Sequence, residues 1–178
     1  VTGADMGLDR LSDPSDPLYI SDDAPAKLSD AKDLFYDQDN DTFWVCDSGN
    51  NRILRLDTDL KVTGCYTGFT GSTEIAVGED GRSTFLNPNG IYVKKSIFDD
   101  KLYVYIADTD NSRAVKCTVE SGTEMTLVQE YTKPDTKLYD SETFNPSKIL
   151  ADKAENIYVV CKSVNTGSVQ FNRDCEFQ

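Results

Sequence analysis

The chain has 178 residues, 38% of them hydrophobic and 28% charged, enough for one folded domain with its own core. Its 31 acids outnumber 18 bases, and a net charge of −13 repels phosphate backbones and anionic lipid, which argues against a nucleic-acid partner. There is no histidine, which removes His general bases, Ser–His and Cys–His pairs and the usual zinc ligands.

In chain order, residues 1–30 are polar and rich in Asp, Ser and Pro, an irregular lead-in with one short strand expected near Leu18–Ile20. Strands and turns then alternate. Strands are expected at Asp33–Tyr36, Thr42–Cys46, Arg52–Asp57 and Val62–Thr67, all rich in Val, Ile, Tyr, Phe and Thr. Further strands are expected at Gly90–Val93, Lys101–Ala107, Ala114–Val119 and Thr126–Tyr131. A last group follows at Lys148–Ala151, Asn156–Cys161, Ser168–Asn172 and Cys175–Phe177. Asp39-Asn40-Asp41, Thr58-Asp59, Asp99-Asp100 and Arg173-Asp174 supply reversals between them. Residues 68–84 and 132–143 are expected to be loops. No window shows a capped 3.6-residue period, so the fold class is all-β, built from antiparallel hairpins. No apolar run approaches the roughly 20 residues of a membrane helix, so no membrane insertion is expected.

One pattern recurs. Phe43–Asp57 is a strand, then Asp-Ser-Gly-Asn-Asn-Arg, then a second strand; Val104–Thr118 repeats it around Asp-Thr-Asp-Asn-Ser-Arg. A weaker third copy aligns without gaps when Asn165 is placed on Asn50. Cys161 then falls on Cys46, Lys162 on Asp47 and Gly167 on Arg52. Asn50, Asn111 and Asn165 stand 61 and 54 residues apart, somewhat more than the ~40–50 residues of a minimal propeller blade.

Phe-x-x-Pro-x-Gly-Ile at residues 85–91, followed by an apolar strand and Asp-(Ser/Thr)-x-Asn-x-Arg, resembles the NHL repeat, and the detailed wording is similar to exported bacterial NHL-repeat proteins. The resemblance implies a β-propeller of four-stranded antiparallel blades at about residues 31–67, 85–131 and 144–178. It also implies an extracellular or cell-surface setting. Radial stacking would cover the faces that one blade cannot bury alone. Three blades fall short of the about 4–8 that close a ring. The expectation is part of a six-bladed propeller, its remaining blades supplied by the same longer chain, on the C-terminal side, or by another copy. The first residue, Val1, agrees with a processed or excised piece.

Within the motif, Asp47, Asn50, Arg52, Asp108, Asn111 and Arg113 are expected to be scaffold. Asn and Gly tolerate left-handed backbone, the carboxylate accepts turn N–H groups, and the guanidinium bridges. Trp44 is expected between blades. Tyr66, Phe69, Tyr131 and Tyr139 lie near loops and are the candidate face for a protein or carbohydrate ligand. Asp37-Gln38-Asp39-Asn40-Asp41 has the alternating oxygens of a calcium loop. However, Thr42 replaces its turn glycine and Ser48 its closing Glu, so a hairpin turn is expected. No Gly-x-Ser-x-Gly elbow or phosphate loop is present. The function expected is a non-enzymatic binding module without a cofactor. The alternative is a calcium-dependent hydrolase or lactonase-like propeller. The five cysteines form no C-x-x-C pair and are expected as buried thiols, with Cys46 and Cys161 unbonded to each other.

Overall fold

A computed structural model describes residues 1–71, 82–136, 143–162 and 168–178, with the backbone alone for Arg82. The first blade is an antiparallel sheet in the order β1-β2-β3-β4, made of Asp33–Asp37, Thr42–Asp47, Arg52–Leu56 and Val62–Tyr66. The calcium-like stretch is the β1–β2 hairpin turn. Asp37 accepts from the Asp39 N–H (3.1 Å) and the Asn40 amide (2.8 Å), and Asp41 takes φ 50°.

The second blade is β7 to β10: Pro88–Lys95, Leu102–Asp108, Arg113–Val119 and Met125–Tyr131. Its outer edge is extended by two short strands that sequence reading places in a loop. β5 (Gly68–Thr70) joins β10 in parallel through Thr70 and Thr126, and β6 (Arg82–Thr84) pairs with β5. Three-residue strands carry no readable alternation, but they occupy an edge that would otherwise present open N–H and C=O groups. The third blade has β11 (Pro146–Ala151), β12 (Ile157–Cys161) and β13 (Ser168–Phe171), with a lone Phe171–Phe177 bridge where a fourth strand begins.

Blades stack face to face because each strand alternates apolar residues to both sides. Trp44, Cys46, Ile53 and Tyr66 of blade one meet Ile91, Val104, Ile106 and Val115 of blade two. Tyr103, Tyr105, Ala107 and Ala114 on its other side meet Ile149, Ile157, Val159 and Phe171 of blade three. Trp44 is fully buried there, as expected, with its ring 5.8 Å from Tyr66 and its indole N–H on Thr42.

The lead-in has one 3-10 turn, Leu8–Ser12, and no strand at 18–20. Met6, Leu8, Leu11, Leu18 and Ala24 instead cover Val45, Leu54, Leu56, Val62 and Cys65 on the outward face of blade one.

The innermost strands crowd together. Asp33 of β1 accepts the Ile91 N–H of β7 (3.0 Å) and pairs with Lys148 of β11 (2.7 Å). A Cβ on Gly90 would lie 2.6 Å from the Ser147 carbonyl oxygen, so the approach of β7 to β11 requires glycine. Among the described residues no helix is long and apolar enough to cross a membrane.

Candidate functional site

The two clear motif copies form the same buried device. A 3-10 turn (Ser48–Asn50 or Thr109–Asn111) follows the second strand, and the next residue, Asn51 or Ser112, takes φ 53°. The left-handed position is therefore not the motif asparagine, which acts through its side chain. Asp47 accepts from the Ser29 N–H (2.7 Å), the Asn50 amide (2.9 Å) and Arg52 Nε (2.7 Å). Asp108 accepts from the Leu86 N–H, the Asn111 amide and Arg113 Nε, each at 2.8 Å. Both carboxylates and both guanidiniums are almost wholly enclosed.

The device points two ways. Backwards, Asn50 and Arg52 Nη2 donate to the Lys27 carbonyl, and Arg52 Nη2 also to that of Pro25. Asn111 and Arg113 Nη2 donate to the Thr84 carbonyl. Forwards, the hydroxyls of Ser48 and Thr109 donate to the carbonyls of Pro88 and Pro146, where the next blade's first strand starts. Each motif thus clamps the segment entering its own blade and the strand opening the next one. Three donors thus converge on each buried carboxylate.

The copies differ at one atom. Arg113 Nη1 pairs with Glu130 (3.2 Å), and its guanidinium stacks over Phe69 at 4.8 Å. Arg52 Nη1 finds no hydrogen-bond partner among the described residues, because strand pairing puts Cys65 where blade two has Glu130. Burial pushes the Asp108 carboxyl above the usual range, against the pull of Arg113, Asn111 and the Leu86 N–H.

The third copy departs from the gapless alignment. Pro146 pairs with Cys161 as Pro88 pairs with Asp108, so Cys161 occupies the motif aspartate position and Lys162 the Ser48 position. Asn165 and Gly167 lie outside the described residues.

The aromatic ligand face needs correction. Tyr66 and Phe69 are fully buried and Tyr131 is 2% exposed. Tyr66 donates its hydroxyl to the Ser121 carbonyl (3.1 Å), and burial pushes its pKa up to about 12. Phe69 packs on Phe85, and Tyr131 on Phe171. Their strands end near loops, but their side chains alternate into the inter-blade cores. Tyr139 lies outside the described residues.

Two features escape sequence reading. Lys116 is buried on the face it shares with Ala114, pairs with Glu155 (2.9 Å), and lies 3.9 Å from the centre of the Tyr103 ring. Its signal in the sequence is a lysine two residues from Ala114 within a strand. The second is an uncovered apolar depression on blade three, lined by Lys148, Ile149, Leu150, Tyr158, Val160 and Ser168, with Leu150 and Val160 each 47% exposed. Among the described residues no group of three or more His, Cys, Asp or Glu is placed to hold a metal ion.

Cys46, Cys65, Cys117 and Cys175 are free thiols, and Cys161 is buried in the core between blades two and three. Burial holds Cys46 and Cys117 well above their ordinary range and Cys65 at about 12. A thiol reagent at pH 8 should therefore modify half-buried Cys175 first, and these three only on unfolding. Equal rates for all four would mean that the cores open readily.

These blades define an all-β chain of the β-propeller type. Hydrazine synthase of Kuenenia stuttgartiensis superposes with a TM-score of 0.54 at 13% identity, covering 90% of this chain. A functionally unknown protein from Desulfotomaculum acetoxidans gives 0.48 at 15% identity over 84% of the chain, and a streptogramin B lyase 0.41 at 13% over 83%. The chain spans 38%, 40% and 53% of those proteins' lengths. Identities this low speak for fold alone. No family model and no curated protein matches the sequence.

Proposed function

We propose that this chain is a non-enzymatic β-propeller module of the NHL-repeat type that binds a protein partner, working at the cell surface or outside the cell. The observation that carries the reading is the uncovered aliphatic face of blade three, with Leu150 and Val160 half exposed beside Tyr158. Contiguous exposed apolar surface is a feature of protein-docking sites. A carbohydrate platform would call for exposed rings, and Tyr66, Phe69 and Tyr131 are spent in the cores. The rigid motif clamps suit a scaffold, since their carboxylates already hold three donors each.

The test is the binding of a fluorescent apolar dye such as anilinonaphthalene sulfonate to dilute protein. Dye fluorescence is expected on the wild type and to fall severalfold in Val160→Asp, with the circular dichroism spectrum unchanged. Equal fluorescence in both would overturn the docking reading. A calcium titration separates the alternative: no change in Tm is expected, and a rise on adding calcium chloride would favour the hydrolase.

A further inference from the structure

We infer that the partner of the blade-three face is a second copy of this chain, bound head to tail so that two three-blade stacks close a six-blade ring. The inference rests on the docking reading above and adds the identity of the partner.

The argument starts from the two blade contacts inside one chain, which follow a single rule. Strand pairing makes Cys46, Ala107 and Val160 equivalent: each directly precedes the motif aspartate position (Asp47, Asp108, Cys161) and pairs with the first strand of its own blade, at Asp33, Gly90 and Lys148. Cys46 and Ala107 are fully buried under the next blade. Val160 is 47% exposed, and among the described residues no further blade packs over it. On the opposite faces, Leu34, Ile91 and Ile149 are equivalent, paired with Val45, Ile106 and Val159. Ile91 and Ile149 are buried against the preceding blade, at 4% and 6% exposure, whereas Leu34 is 62% exposed. The chain therefore carries one unmatched surface of each kind, and each is what the other lacks.

The two surfaces also agree in extent. On blade one the lead-in already covers the outer strands, leaving a depression lined by Leu28, Ala31, Lys32, Asp33, Leu34 and Val45 along the inner ones. On the open face of blade three Leu150 and Val160 lie on β11 and β12, again the inner strands.

Charge disfavours pairing two blade-one ends. Residues 1–67 hold 14 acids and 6 bases, and residues 143–178 hold four of each. Blade one against blade one would oppose two strongly acidic ends. Blade three against blade one places a neutral end on an acidic one. A two-fold axis then repeats the contact and leaves neither face open.

Sedimentation of the full chain tests this. A mass of twice 19.8 kDa is expected, with Leu34→Asp and Val160→Asp each weakening association about a hundredfold while folding as the wild type. Leu150→Glu substitutes for Val160→Asp if the latter misfolds. A dimer lost in Val160→Asp but kept in Leu34→Asp would mean tail-to-tail pairing and overturn the ring. A wild-type monomer at every concentration would also overturn it. If that monomer still binds the apolar dye through Val160, the docking reading stands with a different protein as occupant. If dye binding fails as well, both readings fall.

Discussion

Arg113→Met should destabilise the fold by about 3–5 kcal/mol, the range for removing one member of a buried ion pair. The substitution leaves Asp108, fully enclosed, with a charge that only the Leu86 N–H and the Asn111 amide still address. It also strips Glu130 of its ion pair and Phe69 of the stacked guanidinium. The Thr84 carbonyl keeps the Asn111 amide but loses the Arg113 donor, which loosens the segment entering blade two. Urea unfolding at pH 7 would measure the loss. The pH dependence has a definite sign. Burial already raises the Asp108 carboxyl, and without Arg113 its folded pKa rises further above the unfolded value. The destabilisation is then full above the folded pKa and shrinks as pH falls toward the unfolded one, so the variant should approach the wild type near pH 4. Arg52→Met should cost less. Besides Asp47, Arg52 serves the neutral Pro25 and Lys27 carbonyls rather than a second carboxylate, and its Nη1 has no hydrogen-bond partner among the described residues. Equal costs at the two positions would mean that Glu130 and Phe69 add nothing to the second clamp.

The contrast between these two arginines marks how far the sequence could be read. The spacing Asp-(Ser/Thr)-x-Asn-x-Arg identified the turn, the carboxylate as acceptor and the arginine as a bridge, because all three act within a few residues. It placed the left-handed residue one position early, since Asn50 and Asn51 are both suitable by composition and only the backbone decides. The partners at Lys27, Thr84 and Glu130 lie 17–29 residues away and follow from blade geometry. The third repeat failed for a countable reason. Six residues separate the pairs Cys46–Ile53 and Ala107–Ala114, but seven separate Val160 from Ser168. A gapless alignment anchored beyond the turn therefore slips the strand before it by one residue, and a one-residue slip exchanges the two faces. That slip hid both the cysteine at the aspartate position and the exposure of Val160. The buried tyrosines were misplaced by the same ambiguity. Nearness to a loop is legible, whereas the side of the sheet on which Tyr66 or Tyr131 emerges depends on register.

Glu155→Gln is expected to cost about 3 kcal/mol or more at pH 7 and to loosen blade three before the rest of the chain. Lys116 projects from blade two into the contact with blade three, where Tyr103 and Tyr105 surround its ammonium group. Glu155, in the β11–β12 turn, accepts from Lys116 through one oxygen and from the Ser96 hydroxyl through the other. Arg173 stands 3.9 Å from the oxygen that Lys116 binds and is half exposed, so it is the weaker of the two cations at Glu155. Removing the carboxylate leaves a buried cation unmatched, so Lys116→Met in the same chain should restore much of the loss. Simple additivity of the two single costs would show that the pair does not couple. Burial pushes the Glu155 carboxyl up, but Ser96, Lys116 and Arg173 together hold it below its ordinary value of 4.5. The folded pKa is thus below the unfolded one. The contribution of the pair is complete above about pH 4.5 and is lost as pH falls through the folded pKa. Hydrogen exchange should then show the amides of β11–β13 opening in mild acid ahead of those of β1–β4, with Glu155→Gln removing that acid step. If every blade lost protection at the same pH, Glu155 would be one carboxylate among many, and the hold of blade two on blade three would be apolar alone.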